Sequence, residues 1–142
     1  MAQSIDIYEQ IQKMLSLPTV DIRTYSPLSL AYIGDAIYDL VIRSYTVGKG
    51  NTSNNKLHKE TTKFVSAKAQ SAIIQKLMPS LSEDEISIYK RGKNSKPSSG
   101  AKNATQKEYL MATGFEALVG YLYLSHQTER MLELIKMGIE NE

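Results

Sequence analysis

The 142-residue chain reads as an all-α protein. Three observations carry that reading: apolar residues recur at helical spacing over long windows, strand-like alternation is scarce, and no repeat of roughly 20 to 50 residues marks a solenoid. The elements follow in order. Ile7, Ile11, Met14 and Leu15 form one face of an amphipathic helix that stops before Pro18. Ser26 and Pro27 supply an N-cap and a first helical residue, after which Leu30, Ile33, Ile37, Val41 and Tyr45 continue one face to Gly48 and Gly50. Asn51 to Asn55 make a polar entry to a run whose apolar positions, Leu57, Phe64, Val65, Ala69, Ile73, Ile74 and Leu77, are discontinuous and fit one helix or two before Pro79. Ser82 and Glu85 match a capping box, with Glu83 and Asp84 in the first turn where the helix dipole favours acids. Residues 92 to 105, GKNSKPSSGAKNAT, read as a loop. Helical patterning resumes at Gln106 through Tyr109, Leu110, Phe115, Leu118, Val119, Leu122 and Tyr123, and a last helix carries Met131, Leu132, Leu134 and Ile135.

Composition narrows the chemistry. A hydrophobic content of 42% over 142 residues supports one compact core, so residues 1–142 are expected to form a single domain. No window approaches roughly 18 uninterrupted apolar residues, and the start, MAQSIDIYEQIQKM, places acids where a secretory signal needs a basic and then an apolar run. A cytoplasmic protein with no membrane partner is expected. The lack of cysteine removes disulfides, thiolate nucleophiles and Cys-based zinc sites, and neither His58 nor His126 has a second ligand at zinc spacing. TVGKGNTSN, residues 46 to 54, lacks the arrangement of a P-loop and reads as a turn.

The formal net charge of +2 is too mild to imply nucleic acid, but its distribution is uneven. Lys90, Arg91, Lys93, Lys96, Lys102 and Lys107 fall in one segment without an acid, and Asn94, Asn103, Ser98 and Ser99 add hydrogen-bonding groups. Such a segment is either a solvated loop or a phosphate grip.

Acids inside apolar helices raise a second question. Asp35 and Asp39, four residues apart in LAYIGDAIYDL, share a helix face, and Asp35 is expected near the core. Glu116 sits between Phe115 and Ala117. A carboxylate in such a place is partly exposed, salt-bridged, or facing a cation. Gly34 and Gly120 mark a close approach by another backbone or a ligand, which helix packing alone explains.

LAYIGDAIYDL together with TGFEALVGYLYL resembles the paired signatures of the ribonuclease III catalytic domain, in the same order and at a similar separation. The stand-alone bacterial Mini-III branch is more similar still, through NKLHKETTKFVSAKAQ, residues 55 to 70, and the RGKN loop. This resemblance implies a ribonuclease III endonuclease-domain-like helical bundle that cuts double-stranded RNA with Mg²⁺, water being the nucleophile. It places Asp35 and Glu116 as the catalytic, metal-holding acids, and Tyr32 at the dimer interface of a homodimer with one site per subunit. It departs from the wider family at Leu28, Ala31 and Thr113, where acids are usual, and gives Asp39 no catalytic place. About twenty residues follow the second signature helix, so no separate double-stranded RNA-binding domain is expected and Arg91, Lys93, Asn94, Lys96, Lys102 and Lys107 become the RNA-binding residues. The implied substrate is the 23S ribosomal RNA precursor, with a large-subunit ribosomal protein as a further possible partner. The alternatives are a noncatalytic duplex-RNA-binding or ribosome-assembly protein that kept the fold while losing acids, and a Mg²⁺-dependent nucleotide pyrophosphatase. The latter needs several clustered acids, and the densest cluster, Glu83 to Glu85, already has a capping explanation.

Overall fold

A computed structural model describes residues 6–95 and 105–140, and all regular structure among them is helical. The helices are α1 (Ile7–Met14), α2 (Pro27–Val47), α3 (Asn54–Val65), α4 (Ala67–Leu77), α5 (Glu83–Lys93), α6 (Gln106–Leu124) and α7 (Thr128–Ile139), with short 3₁₀ turns at Ile22–Thr24 and Met78–Ser80.

Local chemistry sets the boundaries. Ser26 Oγ accepts the Ser29 N–H at 3.1 Å and Pro27 opens α2. The discontinuous run after Asn54 is two helices, because Ser66 adopts extended backbone (ψ 155°), ending α3 and capping α4 through an Oγ that accepts the Ala69 N–H. Capping boxes start α5 at Ser82/Glu85 and α6 at Thr105/Glu108. The Glu85 carboxylate does more than cap. It is 6% exposed and takes two hydrogen bonds from the Arg130 guanidinium, both 2.9 Å, which hold its pKa below the usual carboxylate value.

Helix α6 is the central rod. Its buried positions, Met111 to Phe115, Ala117 to Gly120, Leu122 and Tyr123, run almost all the way round, because α2, α4, α5 and α7 all pack on it. The main core gathers Tyr38, Ile42, Ile74, Leu77, Phe115, Leu118 and Leu122, with Tyr38 and Phe115 edge to face at a centroid distance of 5.1 Å. Helix α1 buries none of its residues fully and is held at its start, where Tyr8 lies against Tyr123 and His126.

Two expectations need correction. Gly92 and Lys93 belong to α5 rather than to the following loop, since a Cβ at Gly92 would stand 2.7 Å from Ala117 Cβ and the missing side chain is what lets α5 press on α6. Of the remaining loop assignment, residues 96–104 lie outside the described residues. Asp35 is exposed rather than near the core, because the apolar positions flanking it, Gly34 and Ile37, take the inward side of α2.

Candidate active site

Helices α2 and α6 meet main chain to main chain. A Cβ at Gly34 would overlap the Glu116 carbonyl oxygen, and one at Gly120 would overlap the Leu30 carbonyl oxygen. Glycine at both positions removes the side chains that normally keep helix axes ~8–10 Å apart. Asp35 and Glu116 each stand one residue from this contact or within it, which brings an exposed acid of α2 beside a half-buried acid of α6.

Their carboxyl groups interact directly. Burial, then the Asp35 charge and a hydrogen bond with Asp35, push the Glu116 pKa up to about 8, and the Gln70 amide opposes the rise. Two carboxylates held this close repel when both are ionised, and a cation between them relieves that repulsion. The donors are hard oxygens, and Mg²⁺ takes such ligands while keeping several waters. The residues present therefore fit a divalent cation.

Both acids line an open cleft of about 600 Å³. Leu28, Ala31 and Thr113 line the same cleft, so the three positions without acids face the two that have them. Thr113 Oγ1 is engaged with the Tyr109 carbonyl oxygen at 3.1 Å. Asp39 takes no part: its carboxylate pairs with Arg43 Nε at 2.9 Å along the outside of α2. A grouping of Asp6, Glu9 and His126 elsewhere is explained by capping, with Asp6 Oδ1 accepting the Glu9 N–H at 2.8 Å and Oδ2 lying 3.3 Å from His126 Nδ1.

Gln70 is the site neighbour that the sequence reading passed over. It is 2% exposed on α4, and its Nε2 donates to the Val65 carbonyl oxygen (3.0 Å) and to Glu116 Oε2 (3.3 Å). The available signal was a lone amide in the apolar stretch AQSAII, at the last residue of the segment resembling Mini-III.

The basic residues separate. Lys90, Arg91 and Asn94 line a second cleft of about 600 Å³ with Pro27 and Glu83, Pro27 being the residue before Leu28 of the first cleft. Lys93 is half-buried at the end of α5 and Lys107 is exposed in the first turn of α6. Lys96 and Lys102 lie outside the described residues. Tyr32 is 83% exposed on the rim of the acid-bearing cleft, and Leu28 (41%), Ala36 and Leu40 (51%) continue from it at four-residue intervals as an apolar stripe along α2.

Comparison with known proteins gives the family. A profile of the Ribonuclease III domain matches residues 28–127. The chain is similar to the Mini-ribonuclease 3 of Clostridium tetani, at 49% identity over 120 residues covering 84% of this chain and 80% of that one. It is similar to the Mini-ribonuclease 3 of Enterococcus faecalis, at 47% identity over 129 residues covering 86% and 98%. A Fusobacterium nucleatum protein solved by X-ray crystallography superposes with a TM-score of 0.77 at 37% identity, over 85% of this chain and 97% of that one.

Proposed function

Because the chain belongs to the ribonuclease III family as an endoribonuclease of the Mini-ribonuclease 3 type, we propose that it cuts double-stranded RNA in a Mg²⁺-dependent reaction centred on Asp35 and Glu116. One observation supports the site above the others: two acids from different helices, exposed and half-buried, share an open cleft at a main-chain contact that fixes their spacing.

Asp35 and Glu116 would hold the cation. When bound there, Mg²⁺ supplies Lewis acidity toward phosphate oxygens and lowers the pKa of a coordinated water. Asp35, exposed to solvent, is the acid that an approaching phosphodiester reaches, while Glu116 is braced from behind by Gln70. Leu28, Ala31 and Thr113 bring no charge to the cleft, so the RNA phosphates meet less repulsion than further acids would create.

RNA is gripped by the catalytic fold. Arg91 and Asn94, with Lys90, line the second cleft, and Lys107 lies in the first turn of the helix that carries Glu116. Lys93, Lys96 and Lys102 belong to the same proposed grip. A-form RNA hides its base edges in a deep major groove, so phosphate contacts and shape dominate recognition. The exposed stripe through Tyr32 packs on a second copy of the chain, and the two-fold axis of such a homodimer sets one pair of acids against each strand. The biological substrate in this reading is the 23S ribosomal RNA precursor, in the cytoplasm, with a large-subunit ribosomal protein as a candidate presenter of the duplex.

The test is cleavage of end-labelled duplex RNA by wild type, Asp35→Asn and Glu116→Gln in Mg²⁺, with each variant checked for folding and assembly. Wild type is expected to cut, and both variants to lose more than about a hundredfold in rate. Variants that cut at the wild-type rate overturn the assignment of the acids. A folded wild type that binds duplex RNA yet leaves it intact in Mg²⁺ and in Mn²⁺, a precursor ribosomal duplex included, overturns the nuclease reading in favour of a binding module.

A further inference from the structure

Gln70 is buried in a place where an amide costs stability. A glutamine side chain has two N–H donors and one carbonyl acceptor, and burial demands partners for all of them. Both donors are used, on the Val65 carbonyl oxygen at 3.0 Å and on Glu116 Oε2 at 3.3 Å. The acceptor, Oε1, is buried without a hydrogen-bond partner among the described residues. Turning the amide over does not help, because the Val65 oxygen can only accept and would then face Oε1. The orientation is dictated, and it leaves an unmatched acceptor worth about 1–3 kcal/mol against the fold.

An apolar side chain of similar volume avoids that cost, so the residue type is explained by what the amide does for Glu116. The Val65 bond anchors the amide at the α3–α4 junction, and the second N–H is thereby aimed at one oxygen of the Glu116 carboxylate, 46 residues away in sequence.

We propose that Gln70 is a positioning residue, whose amide holds the Glu116 carboxylate turned toward Asp35 so that the two acids form a ready-made divalent-cation site. The proposal rests on the reading of Asp35 and Glu116 as the metal-holding pair. Partners of this kind orient a ligand, and removing one weakens metal binding about ten- to a hundredfold while leaving every ligand in place.

The experiment measures Mn²⁺ binding to the RNA-free protein by electron paramagnetic resonance, with thermal unfolding in parallel, for wild type, Asp35→Asn, Glu116→Gln and Gln70→Met. Methionine matches glutamine in length and abolishes both donors. It also removes the unmatched Oε1 while freeing the Val65 carbonyl, so the unfolding midpoint should stay close to wild type. The expected result is a Mn²⁺ dissociation constant raised about tenfold or more in Gln70→Met, with cleavage at saturating Mn²⁺ within a few-fold of wild type. Should Gln70→Met fold poorly, Gln70→Asn gives the same reading, since its amide is one methylene too short to reach both partners and its affinity is expected to fall as well. Wild-type affinity in a folded Gln70 variant, alongside lost binding in the two acid variants, overturns the role of Gln70 and leaves the acids standing. Undiminished binding in Asp35→Asn and Glu116→Gln overturns the metal site itself, and the role of Gln70 with it.

Discussion

Glu116 carries an electrostatic cost that exchange of a single atom group relieves. Its carboxyl titrates near 8 in the folded chain against 4.5 when unperturbed, because burial and then the Asp35 charge disfavour ionisation. Between those two values the folded state keeps a proton that the unfolded state has released, so stability falls as pH rises from 4.5 to about 8 and levels off above. Glu116→Gln is neutral throughout and escapes the loss. In the presence of chelator it is expected to be more stable than wild type at about pH 9 by on the order of a few kcal/mol, and so to unfold at a higher temperature, and to unfold at nearly the same temperature at about pH 5. Thermal denaturation across that range checks it, and a constant difference between the two proteins defeats the account. Saturating Mg²⁺ should narrow the gap, since a cation supplies wild type with the missing counter-charge. At this scale the two acids were legible in sequence because each interrupts an apolar helical pattern inside a recognisable signature. The exposure of Asp35 was not, since spacing shows which residues share a face but not how far that face is covered. Gln70 was illegible for a different reason: its meaning lies in a contact across 46 residues that no local pattern announces.

Among the elements, the α2–α6 pair carries both acids of the candidate site. Gly34 and Gly120 let the two main chains touch, and alanine at either position drives a Cβ into a carbonyl oxygen that belongs to the facing helix. Overpacking ordinarily costs about 1–3 kcal/mol, and a clash with backbone has no flexible side chain to absorb it. Gly34→Ala and Gly120→Ala are therefore each expected to lose more than about 3 kcal/mol, and the double variant less than the sum, because the first substitution already parts the helices. Urea unfolding of the three proteins measures this; negligible losses would show that the helices accommodate a methyl group there, and fully additive ones that the two contacts yield independently. Element positions were largely readable because capping chemistry is local: Ser26 and Ser82 each cap the helix that follows, whereas Thr105, read as the end of a loop, proves to cap α6. The end of α5 was misplaced because Gly92 looks like a loop residue in sequence and proves to be a packing residue, and the Glu85–Arg130 pair joins residues 45 positions apart.

For the molecule as a whole, the open question of sequence was whether Tyr32 filled the core or met a partner, and 83% exposure excludes the core of this chain. A charge placed in the stripe through Leu28, Tyr32, Ala36 and Leu40 should disrupt association without disturbing the fold. Tyr32→Asp is expected to weaken self-association at least about tenfold by sedimentation velocity, with an unchanged circular dichroism spectrum. An association constant equal to that of wild type would move the interface elsewhere. No helix among the described residues is long and apolar enough to cross a membrane. The all-α architecture itself was written in the periodicity of the chain, whereas the central place of α6 emerges only from assembly, when four other helices surround it. The glycine contact has a last consequence, which is mechanical. Two helices touching along their backbones move as one stiff body, so the gap between Asp35 and Glu116 behaves as a caliper with a locked jaw. On the proposed reading of Asp35 and Glu116 as the cutting site, whatever adjustment would be needed to seat a phosphate is left to rotation about side-chain bonds and to bending of the duplex, and such an enzyme would measure the pliability of the RNA more than its letters.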